Sequence, residues 1–494
     1  MKKGFVYLAG AGPGDPELIT VKAARVLSEA DCIIYDYLAN NALLALYDCE
    51  KIYVGKQGND HTLPQDNINE LIIEKASQGK VVVRLKGGDP FIFGRGGEEA
   101  EELLSAGIPF AIIPGISSFY SAPAYAGIPV THRDFSNAIE VITGHRRAEA
   151  SDDEDINFPE YNSEKTFVFL MGMANISHIA SSLINEKNFP AETPVGIISW
   201  GTRPEQKTLT GTLENIAELV KTHGMKPPAI IVVGRVVSLR DKLRWFDSQP
   251  LFGKTIVVTR SRTQASRMSA KLSTLGAKVI EFPTIEITPL EANIGDLEQY
   301  KWVIFTSQNA VQIFFDKLFS SKRDVRSVAN AKIAAIGSAT SDELVKYGIR
   351  CDLVPEKFVA ESLLESILPQ IQAGDNILIP CSEDARPVLS EGLTKGGAIV
   401  DRVHIYKSTL PKPTDEQTLE AVKNADCITF ASSSTAKNFF SLVPQVNGLC
   451  ASIGPITTKT LIDLKHKPAI EAETFTIDSL IEKIVDYYDK EKKS

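Results

Sequence analysis

The stretch VVVRLKGGDPFIFGRGGEE, residues 81–99, carries the most specific signal in this sequence. Its β-branched start, Val81–Val83, and the following Gly87 and Gly88 are typical of a buried strand that ends in a turn. Two adjacent glycines let the backbone adopt positive φ and approach a ligand closely. The acidic residues from Glu98 onward suit the first turn of a helix. The stretch therefore predicts a strand, a ligand-binding turn and a helix.

Length and composition bound the class of protein. A chain of 494 residues, 43% hydrophobic and 23% charged, has the size and composition of several globular domains. The net charge of −9 argues against a general nucleic-acid surface but leaves room for a small anionic ligand. The 6 cysteines are scattered without a C-x-x-C pair, so no metal site or disulfide framework is predicted. No apolar run is long enough to span a membrane, and we expect a cytoplasmic protein.

A second glycine-rich turn, GAGPGDPELIT at residues 10–20, follows the apolar run FVYLA. With the strand CIIYD ending at Asp36, it has the outline of a dinucleotide-binding unit. The spacing departs from that motif, because Pro13 removes a donor and Asp15 would repel a pyrophosphate. A nicotinamide-dependent oxidoreductase is therefore the weaker alternative.

Strand-like runs alternate with helical patterns along the first half, which predicts an α/β layer fold. The acidic, polar residues 146–165 predict a solvated segment between two lobes. The further strand-like runs are KIYVG (51–55), FAIIPG (110–115), AIEVITGH (138–145), TFVFLMG (166–172), PVGIISWGT (194–202) and AIIVVGRVV (229–237).

Residues 4–246 resemble the uroporphyrinogen-III C-methyltransferases, whose characteristic segments occur here in the same order. The segments that carry the resemblance are GAGPGDPELIT (10–20), IIYD (33–36), YVGKQGNDHTLPQDNIN (53–69), VVRLKGGDPFIFGRGGEE (82–99), IPGISSFYSAPAYAGIPVTHRD (113–134), MGM (171–173) and IIVVGRVVSLRDKLRWF (230–246). The resemblance implies two α/β lobes, S-adenosylmethionine in the cleft between them, and methylation of uroporphyrinogen III at C2 and C7 to precorrin-2. It also implies a homodimer formed through this half.

Carried over position by position, the resemblance makes Asp36 the proton acceptor and Lys56 the proton donor. For Asp36 an equally weighted alternative is a structural role, in which its carboxylate caps the end of the strand. The family usually has Thr-Ala where this chain has Ser117-Ser118, so the contact at Ser118 departs from the pattern. The implied S-adenosylmethionine contacts are Pro13, Gly87, Gly88, Asp89, Ile92, Ser117, Ser118, Met171 and Gly201.

A substrate with many carboxylates calls for cations in the cleft. The matching segments supply such cations and two histidines, although a solvated cation or a structural histidine is the plainer interpretation of each residue alone. The candidate substrate-binding residues of this half are Arg84, Lys86, His61, Arg95, His132 and Arg133.

The second half follows a short linker at 247–253 and repeats one pattern: a strand, small hydroxyl residues, then a helix. FTSQNAV (305–311) pairs with TFASSSTAKNF (429–439), and AIGSATSDEL (335–344) with SIGPITTKTL (452–461). Free N–H groups at such junctions form natural anion sites. The repetition predicts two similar α/β lobes.

These segments, with VPEKFVAESLL (354–364) and VHIYKST (403–409), resemble the uroporphyrinogen-III synthases over residues 253–490. That resemblance implies two flavodoxin-like lobes, about 254–286 with 411–492 and about 287–408, joined by crossing segments near 284–289 and 407–411. It makes Tyr406 the residue that helps the leaving hydroxyl, with a packed strand tyrosine as the alternative. The implied cleft hydroxyls are Ser307, Thr340, Ser433 and Thr458, which are also candidates for helix N-caps.

The sequence thus predicts a two-lobed tetrapyrrole methylase, residues 1–246, followed by a two-lobed synthase, residues 254–492. Together they would convert hydroxymethylbilane to precorrin-2 with S-adenosylmethionine as co-substrate. Two alternatives stay open: a methyltransferase that acts on a later corrin intermediate, and a methyltransferase whose second half is a non-catalytic anion-binding module.

Overall fold

The computed structural model describes residues 4–55, 64–144, 156–259, 262–411 and 415–493. The chain folds into two compact units. The first runs up to Lys254 and includes Leu272–Lys278, and the second comprises Thr255–Lys271 and the residues from Val279 onward. Each unit contains two five-stranded sheets. The predicted fold class, two α/β lobes followed by two further α/β lobes, is confirmed.

The strands up to Val233 are β1 (Phe5–Gly10), β2 (Cys32–Tyr35), β3 (Glu50–Tyr53), β4 (Val81–Lys86), β5 (Phe110–Ile113), β6 (Ala138–Thr143), β7 (Lys165–Leu170), β8 (Pro194–Ser199), β9 (Lys207–Thr212) and β10 (Ala229–Val233). The α-helices of this part are α1 (Val21–Ser28), α2 (Asn41–Leu44), α3 (Gln65–Ser77), α4 (Gly96–Ser105), α5 (Ser118–Tyr125), α6 (Ile176–Asn185), α7 (Ile216–Thr222) and α8 (Arg240–Leu243).

The later strands are β11 (Thr255–Val258), β12 (Lys278–Glu281), β13 (Glu286–Pro289), β14 (Trp302–Phe305), β15 (Lys332–Ala335), β16 (Asn376–Ser382), β17 (Ile399–Thr409), β18 (Cys427–Phe430), β19 (Leu449–Ser452) and β20 (Ile470–Glu471). The helices are α9 (Arg262–Thr274), α10 (Gln308–Ser320), α11 (Ser338–Val345), α12 (Ala360–Ile367), α13 (Val388–Lys395), α14 (Glu416–Lys423), α15 (Ser433–Leu442), α16 (Pro455–Asp463) and α17 (Ile477–Lys493).

The first sheet has the order β3-β2-β4-β1-β5 and is parallel throughout. Its strands are apolar on both faces, as a sheet covered by helices on both sides requires. The second sheet, β6-β7-β10-β8-β9, is mixed, because β10 runs antiparallel to both of its neighbours. The carboxyl ends of β1, β2, β4 and β5 therefore lie at one edge of the first sheet, where parallel sheets commonly bind ligands.

Both sheets of the second unit have the strand order of flavodoxin-like folds. In one, β12-β11-β18-β19-β20 is the order 2-1-3-4-5. The other sheet has the order β13-β17-β16-β14-β15. Its four parallel strands, taken as β15-β14-β16-β17, follow the same order 2-1-3-4, and β13 pairs antiparallel with β17 at the edge. Such sheets bind ligands where the strand order reverses, which here is at β11/β18 and at β14/β16.

Two details differ from the sequence-based expectations. Strand β9 was not predicted, since its alternating threonines in KTLTGT lack the apolar run used to recognise strands. The solvated segment expected at 146–165 is only partly right where it is described: Ile156 and Phe158 are buried in the core of the second sheet, whereas residues 160–164 are exposed. Among the described residues, no helix is both long and apolar enough to cross a membrane.

Candidate functional sites

A cavity of about 610 Å³ lies in the first unit, between the carboxyl edge of the first sheet and the edge of the second sheet where β7 and β8 end. The turn after β1, the turn after β4 and the start of α5 form one wall. The opposite wall is mainly apolar. The residues that line this wall include Leu170, Met171, Met173, Ile198, Trp200, Gly201, Ala229 and Ile230. A cavity of this size and mixed lining is suited to a small organic ligand.

Glycines let the backbone turns after β1, β4 and β5 meet beside the cavity. Gly12 and Gly88 exchange backbone hydrogen bonds, with N···O distances of 3.2 and 2.7 Å. A Cβ placed on Gly115 would lie 2.2 Å from the carbonyl oxygen of Gly88 and 2.7 Å from the Cα of Gly10. The turn after β4 is therefore held against the turns after β1 and β5, and side chains at these positions would force them apart.

Strained backbone is concentrated at this cavity. Of the 8 described non-glycine residues with positive φ, half line it: Phe93, Arg95, Met171 and Trp200. Such conformations are costly and persist where the surroundings enforce them, often at functional sites. Their concentration supports a binding role for the cavity.

The glycine-rich turn after β1 does not lead directly into a helix. A short 3₁₀ turn, Pro16–Leu18, intervenes, and α1 begins only at Val21 with Thr20 as its N-cap. The Asp15 carboxylate accepts hydrogen bonds from the Glu17 N–H and the Tyr125 hydroxyl, both at 2.9 Å. A pyrophosphate would meet this carboxylate instead of a free helix N-terminus. This geometry argues against the nicotinamide alternative.

A cluster of buried charges forms the floor of the cavity. Lys86 Nζ lies 2.6 Å from Glu99 Oε1, and Arg84 Nε lies 3.2 Å from the same oxygen. Arg84 Nη2 also lies 3.4 Å from Asp36 Oδ2. Relative exposure is 3% for Arg84, 5% for Lys86 and 1% for Glu99. Burial, followed by the neighbouring Arg84 charge, lowers the pKa of Lys86 from its ordinary value.

The structure brings most of the predicted residues of this half to one place. All nine proposed S-adenosylmethionine contacts line the cavity: Pro13, Gly87, Gly88, Asp89, Ile92, Ser117, Ser118, Met171 and Gly201. Asp36, Arg84, Lys86 and Arg95 line it too. The Asp36 Oδ1 atom accepts a hydrogen bond from the Leu38 N–H at 3.1 Å, so Asp36 caps a turn and also faces the cavity.

Two predicted residues lie elsewhere. His132 and Arg133 are not among the described residues that line the cavity. The Nδ1 atom of His132 accepts the Asp134 N–H at 3.1 Å, and its ring packs against Phe135, as expected of a structural histidine. Lys56 and His61 lie outside the described residues.

Three polar or aromatic residues in or next to this site, Trp200, Arg203 and Glu99, were not among the predicted site residues. Trp200 and Arg203 line the cavity, with the Arg203 guanidinium 4.7 Å from the Trp200 ring centroid and 3.0 Å from the Leu38 carbonyl oxygen. The third is Glu99. An arginine and a tryptophan in the loop after a predicted strand were a usable signal. Nothing local distinguished Glu99 from the neighbouring glutamates.

A second cavity, of about 350 Å³, lies in the second unit at the β14/β16 reversal of strand order. The turns after β14 and β16, strand β17 and helix α13 supply its polar lining. These residues are Thr306, Ser307, Ser382, Asp384, Arg386, Ser390, Arg402, Tyr406 and Ser408. Two of the residues predicted for the synthase half, Ser307 and Tyr406, thus lie in one cavity.

Tyr406 is buried, and its hydroxyl lies 3.0 Å from Ser307 Oγ. Burial raises the pKa of the Tyr406 phenol, and the hydrogen bond with Ser307 offsets only part of this rise. The phenol therefore carries its proton at neutral pH and can donate it. Arg402 donates to the Ala385 carbonyl, and none of the described carboxylates forms an ion pair with it. The cavity thus combines the hydroxyls of Tyr406 and Ser307 with Arg402, a cation that forms no ion pair with the described carboxylates.

The helix N-cap interpretation holds for one of the four predicted hydroxyl residues. Ser307 caps α10 by accepting the Ala310 N–H at 3.0 Å. The interpretation is wrong for the other three, since the N-caps of α11, α15 and α16 are Gly337, Ser432 and Gly454. Thr340 is buried within α11. The Ser433 hydroxyl accepts a hydrogen bond from the Thr460 hydroxyl, and the Thr458 hydroxyl forms hydrogen bonds with the Ser452 hydroxyl and the Glu471 carboxylate.

Comparison with known proteins finds a different family in each half of the chain. Residues 6–217 match the family Tetrapyrrole (Corrin/Porphyrin) Methylases. Residues 266–482 match the family Uroporphyrinogen-III synthase HemD. The two matched regions contain most of the residues that line the first and second cavities, respectively.

Similar proteins include the porphyrin biosynthesis protein HemD of Ruminiclostridium josui, 36% identical over 98% of both chains. The uroporphyrinogen-III C-methyltransferase of Bacillus subtilis is 43% identical over 70% of this chain and 72% of its own. A solved uroporphyrin-III C-methyltransferase from Thermus thermophilus is 38% identical, with a TM-score of 0.42 over 50% of this chain and 98% of its own. The chain belongs to the family of porphyrin biosynthesis proteins in which a tetrapyrrole methylase is joined to a HemD-type synthase.

Proposed function

We propose that this protein carries out two consecutive steps of tetrapyrrole synthesis. The second unit would cyclise hydroxymethylbilane to uroporphyrinogen III, with inversion of ring D and loss of water. The first unit would then methylate this product at C2 and C7, giving precorrin-2 on the branch toward sirohaem and cobalamin. The observation that carries the proposal is the gathering of all nine predicted S-adenosylmethionine contacts around one cavity of a methylase-family unit.

The residues of the first cavity fit S-adenosylmethionine. Gly115 lies too close to the Gly88 carbonyl to carry a Cβ, and Gly88 has a positive φ, so the turn after β4 presents backbone groups to a polar ligand. Ile92, Met171 and Ile198 offer apolar surface for an adenine ring or a thioether chain. When bound, S-adenosylmethionine supplies the methyl group that a pyrrole carbon takes up.

The chain's own residues would position the reactants and handle a proton. Asp36 lies at the cavity wall, where its carboxylate can accept the proton that the methylated ring loses. Arg95 and Arg203 line the cavity and can meet substrate carboxylates. Arg95 is paired with Glu98, so a substrate carboxylate would replace that partner. Trp200 and Met171 help to exclude water from the reacting atoms.

In the second cavity, Tyr406 is the proposed acid. The bond between the hydroxymethyl carbon and its oxygen breaks, electrons from the pyrrole nitrogen stabilise the carbon, and the phenol proton leaves with the oxygen as water. Ser307 Oγ lies 3.0 Å from the phenol oxygen and can hydrogen-bond the phenolate, which would regain a proton from the substrate when the new C–C bond forms and the attacking ring carbon loses its proton. Arg402 is a partner for a substrate carboxylate.

The first unit is tested by incubating the protein with uroporphyrinogen III and methyl-labelled S-adenosylmethionine. We expect two labelled methyl groups per macrocycle, detected by mass spectrometry. A product without label would contradict the assignment.

The domain boundaries, the homodimer formed through the first unit and the cytoplasmic location remain predictions, and light scattering of the purified protein tests the dimer.

A further inference from the structure

Glu99 lies below the first cavity and contacts three polar side chains through one oxygen. Glu99 Oε1 accepts from Lys86 Nζ at 2.6 Å, from Arg84 Nε at 3.2 Å and from Gln65 Nε2 at 3.2 Å. Its other carboxylate oxygen, Oε2, is buried without a hydrogen-bond partner. Glu99 does not line the cavity among the described residues, whereas Arg84, Lys86 and Gln65 do.

Stability alone is a poor explanation for this cluster. Removing charges from water is costly, and a buried ion pair often contributes no more to stability than apolar residues of the same volume. An unpartnered buried oxygen adds a further cost. The neighbouring Glu98, Glu101 and Glu102 are exposed, so α4 does not require a buried carboxylate at this turn. A buried network that costs stability calls for a role in fixing the position of polar groups.

The contacts lead from Glu99 to the proposed proton acceptor. Arg84 uses Nε to hold Glu99 and Nη1 to donate to the Leu85 carbonyl at 3.1 Å, which fixes the guanidinium plane. The remaining nitrogen, Nη2, lies 3.4 Å from Asp36 Oδ2. We propose that Glu99 is a positioning residue for methyl transfer, which holds Arg84 and Lys86 so that Arg84 orients the carboxylate of Asp36. This inference rests on the proposed function of the first unit.

Loss of the Glu99 charge has a defined consequence. Arg84 and Lys86 would then be adjacent cations without their shared partner, and Asp36 is the other carboxylate that interacts with both. The two cations would draw the Asp36 carboxylate toward the floor and away from the cavity. Glu99→Gln is therefore expected to slow the chemical step, whereas the S-adenosylmethionine contacts on the glycine turns stay in place.

The test uses the full-length protein with uroporphyrinogen III and S-adenosylmethionine, and compares Glu99→Gln, Glu99→Asp and the matched control Glu102→Gln. Glu102 lies on the same helix and is exposed. For Glu99→Gln we expect kcat of methylation to fall about 10- to 100-fold, as a displacement near 1 Å can cause. The KM for S-adenosylmethionine should stay within about twofold of wild type. Glu99→Asp, which keeps the charge, should recover part of kcat, and the control should match wild type.

Wild-type kcat in Glu99→Gln would overturn the proposal. So would a loss in which kcat, KM and melting temperature all change together and Glu99→Asp gives no recovery, because that pattern indicates a purely structural role. If Glu99→Gln does not fold, Glu99→Asp decides: reduced kcat at unchanged KM supports the proposal, and wild-type kcat refutes it. A wild-type protein that does not methylate would contradict the proposed function itself, whereas an active wild type with an equally active Glu99→Gln contradicts only the role of Glu99.

Discussion

The two candidate sites are formed by different parts of the polypeptide, mainly backbone turns in the first and side chains in the second. The first cavity is formed by glycine turns that bring three backbone segments together above buried Arg84, Lys86 and Glu99. The second is formed largely by hydroxyl side chains, together with Arg402, which forms no ion pair with the carboxylates that the structure describes. The first site therefore depends on backbone placement and on compensation of buried charge. The second depends on the proton of one phenol and on electrostatic attraction, and single substitutions should affect the two sites differently.

The largest effect is expected at the proposed proton acceptor. Asp36→Asn keeps the shape of the side chain but cannot accept a proton, and we expect kcat of methylation to fall by about 10²- to 10⁴-fold. Cyclisation of hydroxymethylbilane by the same protein should not change. The matched control is Asp31→Asn, at the opposite end of β2, where the carboxylate accepts the Val81 N–H at 2.8 Å and lies outside the lining of the first cavity. Equal rates for wild type and Asp36→Asn would leave Asp36 as a capping residue alone.

A methyl group on a glycine tests whether the first site depends on backbone placement. In Gly115→Ala the new Cβ would lie 2.2 Å from the Gly88 carbonyl oxygen, so the turns must separate. We expect methylation to fall about 100-fold, with weaker binding of S-adenosylmethionine by calorimetry. Gly97→Ala is the control, since a Cβ there meets nothing within 4 Å and alanine favours a helix. Normal binding by Gly115→Ala would refute this account of the cavity.

In the second unit, Tyr406→Phe removes the phenol proton and leaves the packing almost unchanged. We expect cyclisation to slow about 10- to 100-fold while methylation of added uroporphyrinogen III continues at the wild-type rate. The control is Tyr300→Phe, because that hydroxyl donates to Asp401 at 2.6 Å and lies outside the lining of the second cavity. An unchanged rate would remove the catalytic role of Tyr406.

The smallest effect is expected at Arg402, a cation that binds without taking part in the chemistry. Arg402→Gln should raise the KM for hydroxymethylbilane about five- to tenfold, and kcat should change little. Arg326→Gln is the control, since Arg326 is exposed and paired with Asp324 at 2.7 Å. A fall in kcat at constant KM would instead place Arg402 next to the reacting atoms.

The same contrast explains what could be predicted from sequence. The strand and turn at Val81–Asp89 follow from local rules, because glycine pairs and β-branched runs have few alternative structures. Glu99 could not be distinguished from Glu98, since burial depends on Arg84 and Lys86 from another element. Likewise, nothing in the run of serines shows that Ser432, and not Ser433, caps α15. Local conformation was predictable, whereas the pairing of side chains across elements was not.

The proposed function requires one chain both to close the macrocycle and to methylate it. The most direct test is one incubation of the purified protein with hydroxymethylbilane and labelled S-adenosylmethionine, followed by mass spectrometry and separation of the macrocycle isomers. We expect a doubly labelled macrocycle of the type III isomer. Only the type I isomer, which forms without enzyme, would contradict the synthase assignment, and an unlabelled type III macrocycle would contradict the methylase assignment.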